Sequence, residues 1–166
     1  MWGNRWVRVG AVALGFFAIV ALGRLIDWLT EPDADPFGTV MRENTAGIVI
    51  AVVGALLVIA LMAAAATYWA PRFPAGRVVA DLGAATLGGT LLATLVAPFI
   101  GGGTPLENGL ETFVYVFGQF LGLGALGIAI GFAAITVLGR DWKSRGLKEY
   151  SDRYGRNPRA AGIRKR

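Results

Sequence analysis

The sequence predicts an all-α integral membrane protein: four transmembrane helices set as two antiparallel hairpins, both termini cytoplasmic, with a basic C-terminal tail. Three observations carry this expectation. The stretch 44–71 has no charged side chain and is mostly Ala, Val, Ile and Leu; at ~1.5 Å rise per residue, about 20 apolar residues cross a hydrocarbon core ~30 Å thick. Uncharged runs recur at 9–23, 82–106 and 112–138. Of the 16 Lys and Arg residues, only Arg24 and Arg42 fall outside the N-terminus, the second connection and the tail. Basic residues collect on the cytoplasmic side of short loops, so both termini are placed there.

Composition agrees. A hydrophobic content of 55% leaves 16% charged residues, against about 25% in a soluble domain. The absence of Cys and His excludes disulfides, thiol chemistry, His-ligated haem, thiolate clusters and the usual zinc sites, which need sulfur or imidazole donors. Arg outnumbers Lys 13 to 3 beside abundant Ala and Gly, a bias that points to a GC-rich prokaryotic genome.

Span one covers about 6–29. Its basic, aromatic start (Trp2, Arg5, Trp6, Arg8) also fits a signal peptide. The apolar run, however, continues past Arg24 to Ile26 and Trp28 without a small-residue cleavage site, so an uncleaved helix is expected. Arg24 and Asp27, three apart, are expected to pair near the outer boundary. The segment 30–44 is the longer loop, because Pro32 and Pro36 disfavour helix. Its acids Glu31, Asp33 and Asp35 lack the glycine and terminal glutamate of a calcium loop and are expected to be solvated.

Span two, 45–70, ends at Tyr68 and Trp69, rings that favour the headgroup level, just before Pro71. The connection 71–77 is short enough to require an antiparallel hairpin. Span three, 78–100, stops where Pro98 and the glycines 101–103 release backbone groups, and 104–111 is a short acidic loop. Span four, 112–138, opens with Phe113, Tyr115 and Phe117 at an interface. Residues 1–139 thus form the transmembrane domain. The tail, 140–166, carries ten basic and three acidic residues.

Within the spans the small residues are the first candidates. Lipid supplies no hydrophobic drive between helices, so close backbone approach must supply van der Waals contact. Gly118 with Gly122 and Gly127 with Gly131 are GxxxG pairs in span four, and Ala84 with Gly88 repeats the spacing in span three. All are expected at helix contacts, inside the bundle or against another protein. Thr86, Thr90 and Thr94 recur every fourth residue on one face of span three, and Gln119 is placed to meet them in a polar seam. Such a stripe bonds to its own backbone or lines a water or ion path. Asp81 lies early in span three, where free amides favour a carboxylate. It is expected to pair with Arg77 four residues earlier, the alternative being a proton or cation site.

In the tail, Trp142, Lys143, Arg145, Lys148, Arg153 and Arg156 form a basic and aromatic segment suited to anionic lipid or to a partner protein. No nucleic-acid motif accompanies the charge. No catalytic, metal-binding or cofactor-binding constellation emerges, and no ionisable residue falls near the middle of a span. The function expected is a noncatalytic multi-pass membrane protein, an accessory or assembly subunit of a larger complex with other membrane proteins as partners. The alternatives are a small channel or hole-forming homo-oligomer, and a small transporter or lipid-handling protein.

Overall fold

The structure, a computed structural model, describes residues 3–30, 45–107 and 109–138. Four long helices occupy almost all of them, α1 (Gly3–Thr30), α2 (Thr45–Trp69), α3 (Ala75–Leu95) and α4 (Gly109–Val137), and no strand occurs among the described residues. Each helix is long and apolar enough to cross a membrane. The loop acids of 31–44 and the basic tail 139–166 lie outside the described residues.

The helix ends follow from local chemistry. At the end of α1 the Thr30 hydroxyl donates back to the carbonyls of Ile26 and Asp27, each at 3.0 Å, within the last turn. After α2 the chain turns through Pro71 and Pro74, and the Arg72 guanidinium donates to the Tyr68 carbonyl. Helix α3 starts directly after Pro74, whose carbonyl accepts from the amides of Arg77 and Val78 at 3.0 and 3.2 Å.

The end of the expected span three changes helix type. The α-helix stops at Leu95, and a short 3-10 turn, Ala97–Gly101, carries the chain on. Pro98 has no amide to donate, and its ring would clash with the carbonyl four residues back, so the regular ladder cannot pass it. Gly102, at φ 76°, closes the turn in the left-handed conformation that glycine tolerates. The link to α4 is held by a reciprocal pair: the Thr104 amide donates to the Glu107 carboxylate at 3.0 Å, and the Glu107 amide to the Thr104 carbonyl at 3.2 Å.

Packing is tightest between helices that are not consecutive in sequence. Helix α1 lies chiefly against α3, and α2 against α4; α2 and α3 touch little, although only residues 70–74 join them. Glycines mark the close approaches. A Cβ built on Gly127 would lie 2.7 Å from the Ile59 carbonyl oxygen, and one on Gly131 2.7 Å from the Ala63 carbonyl oxygen, so α4 rests on the α2 backbone at both points. A Cβ on Gly89 would lie 2.8 Å from Phe16 Cβ. Phe16 is fully buried there and meets Phe120 edge to face, ring centroids 6.1 Å apart. The α1–α2 contact is looser: Gly15 faces Leu61 and Gly23 faces Ile50, so these two helices run in opposite senses. Where both faces of a helix are apolar, such complementarity rather than hydrophobic burial distinguishes inside from outside.

Candidate functional site

Three features collect the polar and small residues, and each is built by the α1–α3 or α2–α4 packing. The first lies at the end of the bundle where α1 and α3 begin. Asp81, buried on α3, accepts from Arg5 of α1: Arg5 Nε donates to Oδ1 at 2.8 Å, and Arg5 Nη2 reaches the same oxygen. This adds a closer partner to the expected pairing with Arg77. Arg77, one turn before Asp81, stands 4.0 Å from Oδ2 with a half-exposed side chain and is only the outer partner. The reason is geometric: α1 packs along α3 and delivers a long side chain directly onto the carboxylate, while Arg77 points toward the rim.

Around this pair the rim is aromatic and cationic. The guanidinium of Arg8 sits 5.1 Å from the centroid of Phe73 and that of Arg77 sits 5.0 Å from it, so one ring carries two cations. Arg72 stacks over Tyr68 at 3.8 Å, and Arg5 lies over Trp6 at 5.5 Å. A cation within ~6 Å of a ring centroid is attracted by the ring's negative face. Sequence reasoning placed all these residues on one side of the membrane but missed their convergence. The usable signal was the pairing of a basic N-terminus with a basic second connection.

The second feature is the threonine stripe. Thr86, Thr90 and Thr94 are all buried inside the bundle. Thr86 donates to the Leu82 carbonyl and Thr94 to the Thr90 carbonyl, both at 2.9 Å. Thr90 Oγ1 is buried with no hydrogen-bond partner. Gln119 is half-buried, and no hydrogen bond joins it to the stripe among the described residues. Thr86 and Thr94 thus bond to carbonyls of their own helix, one of the two uses expected of such a stripe.

The third feature is the pair of small-residue faces on α4. Gly124, Gly127 and Gly131 are buried, Gly124 against Thr86 and the other two against α2. Gly118 and Gly122 point the other way: both are exposed, and a Cβ on either would meet nothing within 4 Å. The exposed face continues through Ala125, Ala129 and Ala133. On α3, Ala84 is half-buried against the core and a Cβ on Gly88 would sit 3.6 Å from Ala13 Cβ. Gly89 and Gly124, which make closer contacts than several GxxxG members, fall outside the pairs singled out from sequence.

Arg24 and Asp27 lie in the last two turns of α1, and neither is free of interactions. Trp142, Lys143, Arg145, Lys148, Arg153 and Arg156 lie outside the described residues. Among the described residues no three acidic side chains gather as a metal site would require. Comparison of the chain with protein-family models, with curated proteins and with solved structures finds no match.

Proposed function

We propose that this chain is a noncatalytic multi-pass protein of the cell membrane that serves as an accessory or assembly subunit of a larger membrane complex. The observation that carries the reading is the outward face of α4. Gly118, Gly122, Ala125, Ala129 and Ala133 recur at helical spacing and are exposed, on the side opposite the glycines buried against α2 and α3. Elsewhere the surface of the four helices presents large apolar side chains such as Leu14, Leu22, Leu56, Leu87 and Leu91. Large side chains suit lipid, whereas an unbroken line of small ones admits another helix backbone at close range.

In this reading the α1–α2 and α3–α4 hairpins lie with Arg5, Arg8, Arg72 and Arg77 in the cytoplasm, by the bias of basic residues toward that side. The other end of the described helices carries Asp27, Glu107 and Glu111 with only Arg24. The buried threonine stripe supports the subunit reading over the channel, since its hydroxyls face the interior of one bundle and leave the exposed faces apolar.

The test is purification in mild detergent from the native membrane at endogenous level, with mass spectrometry of what co-migrates. Stoichiometric membrane partners that are lost on Gly118→Leu with Gly122→Leu support the subunit reading. A monomer that captures nothing overturns it, and a homo-oligomer broken by the same substitutions transfers the stripe to the oligomeric alternative.

A further inference from the structure

Four arginines, Arg5, Arg8, Arg72 and Arg77, lie at one end of the bundle, and the only carboxylate described there, Asp81, is already held by Arg5. We infer that the rim formed by Arg72, Arg77, Arg8 and Phe73 seats the phosphate of an anionic phospholipid headgroup. The inference rests on the reading that the four helices span a bilayer, which puts this rim at the headgroup level.

The geometry supports a seated anion rather than a diffuse positive surface. Arg8 and Arg77 both lie about 5 Å from the Phe73 centroid, so their charges are no farther apart than a Debye length, ~10 Å at 0.1 M salt. Two cations gathered at one ring concentrate positive potential at this point of the rim, which favours an anion beside them. Arg77 is only loosely engaged by Asp81, at 4.0 Å. Arg72 spends one donor on the Tyr68 carbonyl and is otherwise exposed; a guanidinium has five donors in a fork that matches a phosphate. Phe73 itself is half-buried against the core and fixes where the two cations stand. The exposed rings of Trp6 and Tyr68 beside the site are of the kind that settle at the interface.

The site differs from the basic tail in being folded. It draws on α1, on the link 70–74 and on α3, so its donors are held in place before a lipid arrives. A phosphodiester with one negative charge suits a group of guanidiniums at the ends of apolar helices.

The test uses the full chain, delipidated in mild detergent, with bound lipid counted by native mass spectrometry. Phosphatidylglycerol and phosphatidylcholine are titrated separately, with inorganic phosphate as competitor. One basic residue near a lipid surface contributes about fivefold in affinity. Arg72→Gln with Arg77→Gln is therefore expected to weaken the first phosphatidylglycerol by about twentyfold and to leave phosphatidylcholine unchanged. Arg72→Lys with Arg77→Lys keeps the charge and loses the fork, and an intermediate loss is expected.

Equal phosphatidylglycerol binding by the Gln variant and the parent overturns the proposal, as does full retention by the Lys variant, which would mean diffuse attraction. Displacement by millimolar phosphate reassigns the site to a free anion and overturns the lipid. Neutralising Lys143, Arg145, Lys148, Arg153 and Arg156 to Gln should preserve the difference between parent and Gln variant; its disappearance places the binding in the tail. Extraction of the chain from membranes by alkaline carbonate would be the separate failure of the spanning reading.

Discussion

Arg5 of α1 and Asp81 of α3, 76 residues apart in sequence, form a buried-edge ion pair in which the guanidinium turns two nitrogens onto one carboxylate oxygen. The two partners are not equivalent. The Asp81 side chain is 11% exposed and that of Arg5 29%, so removing one partner strands a charge in a different setting each time. With Arg5→Gln the carboxylate stays inside with Arg77 at 4.0 Å as its remaining cation. Loss of one partner from a buried pair costs about 3–5 kcal/mol, and the lower end applies here because the rim admits some solvent. With Asp81→Asn the freed Arg5, already 29% exposed, extends outward on its flexible stem, so a smaller loss of about 1 kcal/mol is expected. The double variant should lie closer to Asp81→Asn than to Arg5→Gln. Thermal unfolding in mild detergent, followed by circular dichroism, measures the cycle; equal single losses would show that the pair is screened.

The two glycine faces of α4 predict opposite results for the same substitution. A Cβ on Gly131 would stand 2.5 Å from Ala66 Cβ and 2.7 Å from the Ala63 carbonyl oxygen. Gly131→Ala must push α4 off the α2 backbone, at an expected cost of about 1–3 kcal/mol for overpacking. Gly118→Ala meets open space and gains helix propensity of about 1 kcal/mol. The isolated bundle should therefore melt lower with Gly131→Ala and no lower with Gly118→Ala. Destabilisation by Gly118→Ala and none by Gly131→Ala would mean that α4 packs with its other face inward.

Phe16 links three helices, so its neighbours should show compensation. It is fully buried between Gly89 and Phe120, and Phe16→Ala is expected to cost about 3–5 kcal/mol through the cavity it leaves. Gly89→Ala alone places a methyl 2.8 Å from Phe16 Cβ and Cγ, and α1 must retreat from α3. Phe16→Ala removes Cγ and the ring, leaving only Cβ of the atoms that the new methyl would meet. The double variant Phe16→Ala with Gly89→Ala should be more stable than the sum of the single losses by a measurable margin, as contacting residues are when they share one space. Strict additivity would place the two residues out of contact.

What the sequence revealed and what it concealed have one physical origin. Each helix was legible because a helix long and apolar enough to cross a membrane is a long uncharged run, and the ends fell close to Thr30, Trp69 and Val137 because prolines, aromatic residues and charges mark boundaries. Which face of each helix points inward was not legible. In a soluble bundle the buried face is apolar and the outer one polar, but here Leu87 on the surface and Leu82 in the core are the same residue type. Gly118 and Gly131 therefore read alike in sequence, although one faces outward and the other touches α2. The closer partner of Asp81 was hidden for a related reason: Arg77, the partner expected, is near in sequence, whereas Arg5 becomes near only when α1 lies along α3. Pro98 was read correctly as a helix stop, yet its effect reaches back to Leu95 because the clash falls on the preceding turn.

Thr90 gives the sharpest test of how the interior treats polar groups. Its hydroxyl is fully buried without a partner, while Thr86 and Thr94 on the same stripe each donate to a carbonyl one turn back. An unsatisfied buried hydroxyl carries a penalty of about 1–3 kcal/mol, which Val does not incur at nearly the same shape. Thr90→Val is accordingly expected to raise the unfolding midpoint. Thr86→Val and Thr94→Val give up satisfied hydrogen bonds and should be neutral or slightly destabilising, since a net hydrogen bond contributes about 1 kcal/mol. The same three variants bear on conduction. If the stripe is interior packing, reconstituted vesicles should show the same ion permeability for the parent and the triple Val variant. A permeability in the parent that the triple variant abolishes would mean that water or ions enter the bundle beside Thr90. In that case Thr90→Val should also fail to stabilise, because a wetted hydroxyl has no penalty to relieve.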